Sequence, residues 1–117
     1  MVPRFSILDS LKNAGDYRRI LQGSDTLRIR STYIELFLHP RLEGHRLGLI
    51  VSKRCYPRAV DRNRAKRLLR EYARLHLRAY PAMDMVVRVK RPMESLALPA
   101  LSTYLDALLL KAYPVRS

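Results

Sequence analysis

Between Arg62 and Arg78 the apolar and charged positions separate as they would around a helix stepping about 100° per residue. Ala65, Leu68, Leu69, Tyr72, Ala73 and His76 fall at the i, i+3, i+4, i+7 spacing that buries a stripe. Asn63, Lys66, Arg67, Arg70, Arg74 and Arg78 fall on the opposite side, and Glu71 alone interrupts the charge along that run. The helix starts between Pro57, which suits a first turn, and Asp61, which suits a cap. It ends before Pro81, because the residue ahead of a proline avoids the helical region. One side of this element docks on a core while the other holds fixed positive charge toward a polyanion.

The rest of the chain is arranged around that helix. Residues 1–12 read as a basic, partly apolar arm. Asn13 caps a short helix through Tyr17, Ile20 and Leu21, with Asp16 near its start and Gly23 at its end. Thr26 to His39 is strand-like: Leu27 and Ile29 alternate with Arg28 and Arg30, then Tyr33, Glu35 and Phe37 alternate with Ile34, Leu36 and Leu38. Apolar groups on both parities place this second stretch inside a sheet. A turn over Pro40 to His45 leads to a strand at Leu47–Val51, and Met83–Val89 is another. The last helix spans Pro99 to Tyr113, with Leu101, Leu105, Leu108, Leu109 and Ala112 as its stripe and Pro114 as its stop. Helix, two or three strands, helix, strand, helix is the order of a small α+β two-layer sandwich. Its strand–helix–strand passage is right-handed by the general rule.

Length and charge narrow the function. The chain has 117 residues, enough for one domain, and a formal net charge of +13. Such an excess opposes the compact state through self-repulsion, and it suits association with nucleic acid or an anionic surface. No apolar run approaches the roughly 18–20 residues that span a bilayer. Lysine occurs only at 12, 53, 66, 90 and 111, so most of the charge is arginine. Arginine's planar fork grips phosphate oxygens in pairs and stacks on bases. The single cysteine, Cys55, excludes an internal disulfide and a CxxC metal site, and the natural compartment is a reducing cytoplasm.

Catalysis by the chain itself finds little support. The ten acids are scattered singly, whereas a two-metal nuclease needs carboxylates converging on ions about 4 Å apart. His39, His45 and His76 lie on separate elements, and His76 belongs to an apolar stripe. Cys55 reads as a small buried thiol. No phosphate-binding, zinc-protease or nucleophile-elbow motif occurs. No catalytic residue and no metal ligand is assigned. A solvated charge run normally alternates in sign, and this one does not, so phosphate binding is the better account. Tyr17 and Tyr33, close to arginines, can stack on single-stranded bases or pack in the core.

At Arg62-Asn63-Arg64-x-Lys66-Arg67-x-x-Arg70-Glu71 the sequence closely resembles the protein subunit of bacterial ribonuclease P. Leu11-Lys12 to Asp16-Tyr17, Leu47-Gly48-Leu49-Ile50-Val51-Ser52-Lys53-Arg54, and Pro81 to Val87 with Lys90-Arg91-Pro92 fit the same family in the same order. The resemblance implies an α-β-β-β-α-β-α order, a mixed sheet and a left-handed crossover at the signature helix. It implies a subunit of the enzyme that removes the 5′ leader of precursor tRNA, with the active site and magnesium ions in the RNA subunit. The partners would then be that catalytic RNA and precursor tRNA, with no membrane and no protein partner required.

Carried over by residue, Arg62, Asn63, Arg64, Lys66, Arg67 and Arg70 would contact the catalytic RNA, with Lys53 and Arg54 as the paired basic residues ahead of the helix. Arg58 and Arg74 extend that row. Tyr17 stands where the family has an aromatic lining the leader cleft; Leu21, Ile34 and Leu36 join it by parity as well as resemblance. Cys55-Tyr56-Pro57-Arg58 departs from the family's usual turn, and Arg88 with Lys90-Arg91 makes the last strand more basic. A general RNA-binding or ribosome-associated module is the alternative reading.

Overall fold

The computed structural model describes residues 8–11, 14–93 and 97–113. In chain order the elements are β1 (Leu8–Ser10), α1 (Ala14–Gln22), β2 (Leu27–Arg30), β3 (Ile34–Pro40) and β4 (His45–Val51). They continue with α2 (Ala59–His76), a 3-10 turn (Leu77–Ala79), β5 (Met83–Val89) and α3 (Leu98–Ala112). The strands form one mixed sheet in the order β1-β4-β5-β3-β2. β4 runs parallel to β5, which is antiparallel to β3, and β3 is antiparallel to β2. Helix α2 therefore joins two neighbouring parallel strands.

β1 falls within the stretch expected to be an arm. Three residues are too few to show alternation, yet they pair in parallel with His45–Leu47. Residues 1–7 and 12 of that arm, the cap at Asn13 and the stop at Pro114 lie outside the described residues.

Strand parity sorts the core. Ile29, Ile34, Leu36, Leu38, Leu47, Met83, Met85, Val87 and Val89 face α2 and α3, where Ala65, Leu69, Tyr72, Leu101, Leu105 and Leu109 are buried against them. These two layers are the sandwich that the pattern predicts. Phe37 and Val86 face the other way and meet α1, packing with Leu11, Ile20, Tyr17, Leu21 and Ile50. Both parities of β3 and β5 are thus used, which is why Ile34–Leu38 and Met83–Val87 are continuously buried.

The α2 stripe packs as its spacing dictates. Ala65, Leu69, Tyr72 and Ala73 are buried, and Leu68 is half-buried. Each large apolar group so placed contributes about 1.5–3 kcal/mol. His76 sits at the boundary, stacked on Tyr72 with ring centroids 4.8 Å apart. The Tyr72 and Tyr80 hydroxyls donate to one oxygen of Asp106, at 2.6 and 3.0 Å, tying α2 and the following turn to α3. Burial, followed by the Asp106 carboxylate, raises both phenols, Tyr80 to about 12.

Gly48 positions α1. A Cβ there would stand 2.8 Å from Leu11 Cδ1 and 2.8–2.9 Å from the Tyr17 ring, so only glycine lets that ring lie on β4. The Tyr17 hydroxyl then accepts the N–H of Leu49 at 3.2 Å. The β3–β4 turn uses Gly44 at φ 77°, a conformation that favours glycine.

Candidate nucleic-acid interface

The loop before α2 is anchored from both sides. Cys55 is buried, with its Sγ 3.2 Å from the Val89 carbonyl, and the Tyr56 hydroxyl accepts the Met93 N–H at 2.8 Å. Two buried side chains thus pin the loop ahead of α2. Arg58 occupies the N-cap in an extended conformation, without a side-chain cap bond. Its guanidinium pairs instead with Asp61 at 2.9 Å, and that hydrogen bond holds the Asp61 carboxyl below its ordinary range. Arg62 turns back and donates to the carbonyls of Tyr56 and Pro57, each at 2.9 Å.

Three residues expected to face RNA are therefore engaged within the protein. Arg58 is paired with Asp61, Arg62 braces the loop, and Arg74 is bonded to Glu71. The two ion pairs are i,i+3 contacts, which a helix brings together automatically. Their acidic partners also respond: the Arg74 hydrogen bond lowers the Glu71 carboxyl.

The rest of the row is presented outward. Lys53, Arg54, Asn63, Arg64, Arg67 and Arg70 are exposed and Lys66 is half-buried. Among the described residues no ion pair engages Lys53, Arg54, Lys66, Arg67 or Arg70. Arg64 acts on Asp61 only as a nearby charge. With its back buried, α2 holds Asn63, Arg64, Lys66, Arg67 and Arg70 on a rigid element, and Lys53 and Arg54 stand on the loop ahead of it.

A second surface lies on the opposite face of the sheet. Tyr17 and Leu21 are half-buried there, beside Phe37, Val86 and Ile50. Ile34 and Leu36 do not join them. Both are fully buried at 0% exposure in the layer under α2 and α3, so the cleft assignment for these two is corrected. They share one parity, as alternation predicts, but α1 covers the other face of β3. Among the residues that share Tyr17's face are Arg28, Arg30, Glu35 and Phe37 from β2 and β3, and Arg88 and Ile50 from β5 and β4. Alternation alone joined Glu35 with Phe37 on one side of β3; what it lacked was the side that α1 covers.

No cluster of metal ligands emerges. Among the described residues no three His, Cys, Asp or Glu side chains are placed to hold an ion. The histidines serve separate contacts: His39 with Thr26, His45 with the carbonyls of Tyr80 and Pro81, His76 with Tyr72. No described helix is long and apolar enough to cross a membrane.

A family model described as Ribonuclease P matches residues 5–113. The chain belongs to the ribonuclease P protein family. Among its relatives, the ribonuclease P protein component of Nitrosomonas eutropha is 36% identical over 85 residues, covering 72% of this chain and 70% of that one. The Yersinia pestis component is 50% identical over 66 residues, 56% of each chain. The solved Staphylococcus aureus RNase P protein superposes with a TM-score of 0.77 at 24% identity, covering 89% of this chain and 94% of the other. The α+β fold with its mixed sheet is thus the fold of ribonuclease P proteins. The Arg62–Glu71 signature that carried the resemblance lies on α2, whose outer row is the most basic surface of the described helices.

Proposed function

We propose that this ribonuclease P protein binds the catalytic RNA through α2 and the loop ahead of it, and binds the 5′ leader of precursor tRNA across the face of the sheet that carries α1. The observation behind this reading is the outward row of Lys66, Arg67 and Arg70, without acidic partners among the described residues, on a helix whose back is buried. Each such cation that meets a phosphate releases condensed counterions, which favours association with a polyanion. Two RNAs must also approach each other during leader removal, and a basic protein between them lowers their repulsion. Leader contacts would raise affinity for precursor over mature product.

In this reading the endonucleolytic chemistry and its magnesium ions belong to the RNA subunit. Magnesium, a hard dication, needs several free oxygens. Asp61, Glu71 and Asp84 are already bonded to Arg58, Arg74 and Arg46. The protein's contribution is to bind and orient.

Replacing Arg67 and Arg70 together by alanine tests this. Affinity for the catalytic RNA is expected to fall, and the slope of log affinity against log salt to flatten by about two, one counterion set per lost contact. An unchanged slope counts against the α2 interface. Stimulated leader removal only when the catalytic RNA is present supports a subunit role. Equal binding to any RNA duplex would instead make the chain a general RNA-binding module.

A further inference from the structure

On the open part of the sheet beside α1, three arginines surround one glutamate. Glu35 Oε2 lies 3.3 Å from Arg30 Nε and 3.4 Å from Arg28 Nε, and Oε1 lies 3.9 Å from Arg88 Nη1. The register makes this a designed juxtaposition: Arg30 pairs with Glu35 across β2–β3, and Glu35 with Arg88 across β3–β5. Arg28, one pleat away, is steered by its contact with the Phe37 ring, 5.0 Å from the ring centroid.

Burial separates the two signs. The Glu35 side chain is 9% exposed, while Arg28, Arg30 and Arg88 are 45%, 68% and 57% exposed. Three positive charges around one negative leave a net charge of +2 on the surface. As a stability device this is redundant, because exposed ion pairs contribute about 0–1 kcal/mol and one arginine suffices to neutralise the acid. Each guanidinium carries five donors in a fixed fork, and one carboxylate cannot occupy fifteen. The buried acid instead holds the three forks together and limits their mutual repulsion, so they are gathered before any ligand arrives.

We propose that Arg28, Arg30 and Arg88, organised by Glu35, form a binding site for a phosphodiester of single-stranded RNA, and that its occupant is a phosphate of the precursor leader. This rests on the reading that the leader crosses this face, and it adds the residues that grip the backbone. The site lies beyond Tyr17 and Leu21, with Ile50 pairing Arg88 at its floor. A strand stacked on the aromatic side would therefore run onto the arginines within a few nucleotides.

The test measures affinity of the reconstituted holoenzyme for precursors whose leaders range from a single nucleotide to ten. Arg28→Ala, Arg30→Ala and Arg88→Ala are each expected to weaken long-leader binding about tenfold, as for a lost charge-assisted bond. The slope against log salt should drop by about 0.7 per arginine, the value for single strands. The losses should vanish once the leader is too short to reach. Arg88→Lys keeps the charge without the fork and should recover only part of the affinity. Thermal midpoints near the parent's would show that the variants fold, and a fall in midpoint accounting for the affinity loss would overturn the proposal. Losses independent of leader length, or no loss at all, would overturn it too. Failure of the α2 interface reads differently: it appears as an unaltered salt slope for the catalytic RNA with Arg67 and Arg70 replaced.

Discussion

Gly48→Ala is a one-carbon change whose cost can be worked out from the geometry. The new Cβ would sit 2.8 Å from Leu11 Cδ1 and 2.8–2.9 Å from Cε1 and Cζ of Tyr17. Ordinary carbon contacts are about 3.5–4.0 Å, so the neighbours must retreat by about 0.6–1.2 Å. Leu11 Cδ1 is the end of a flexible side chain and can rotate away. The Tyr17 ring cannot retreat as freely, because its hydroxyl is held by the Leu49 N–H at 3.2 Å. Lifting it stretches that bond beyond useful range and opens the small core of Ile20, Phe37 and Val86. Overpacking costs about 1–3 kcal/mol and the lost bond about 1 kcal/mol, against a gain of about 0.5–1 kcal/mol from replacing a strand glycine. The net expectation is a loss of about 1–3 kcal/mol, or roughly 4–12 °C in Tm for a domain of this size. Urea unfolding of Gly48→Ala, Tyr17→Ala and the double variant measures it. The two changes should be strongly non-additive, with a coupling of at least about 1 kcal/mol, since removing the ring removes the clash. A Gly48→Ala protein within about 0.5 kcal/mol of the parent, or equally penalised without the Tyr17 ring, would refute the reasoning.

Neighbouring residues on α2 should behave oppositely: Leu69→Ala, at 1% exposure, is expected to cost about 2–5 kcal/mol in denaturant unfolding, and the exposed Arg70→Ala less than about 0.5 kcal/mol. Arg62→Ala removes two bonds to loop carbonyls and should lower stability by about 1–2 kcal/mol, whereas Arg67→Ala should leave it unchanged; equal effects would mean the brace is idle. Tyr80 titrates in the folded protein near 12, above the ordinary phenol value of 10, so the native state keeps a proton that the unfolded chain releases. Its stabilising contribution is complete below pH 10 and is lost as pH rises toward 12; thermal unfolding across that window should fall less steeply for Tyr80→Phe than for the parent.

The two faces of α2 were legible because helical period fixes direction from local spacing alone. Leu69 and Arg70 are adjacent in sequence yet separated by about 100° around the axis, and no distant contact is needed to know it. The pairing of Arg58 with Asp61 and of Arg74 with Glu71 had a local signal, each acid standing three residues from its arginine. Arg62 gave no such sign, since its partners are backbone carbonyls, which every sequence has. In the sheet the difficulty was different. β3 is apolar on both parities, so Ile34 and Leu36 could be grouped but not assigned to a layer until the return path of α1 was known. The Arg28–Arg30–Glu35–Arg88 group needed Glu35 to pair with Arg88, 53 positions further along the chain, and no local pattern encodes that.

The short β1 strand has an effect beyond the fold. Leu47 gives its carbonyl to Leu11, and two residues later the N–H of Leu49 points the same way, past the end of β1. That exposed margin would otherwise be a template on which a stray chain could crystallise into a longer ribbon. The phenol of Tyr17 plugs it. One ring thus closes that stretch of β4 to strand addition, and a smaller residue there should leave the purified protein prone to clumping.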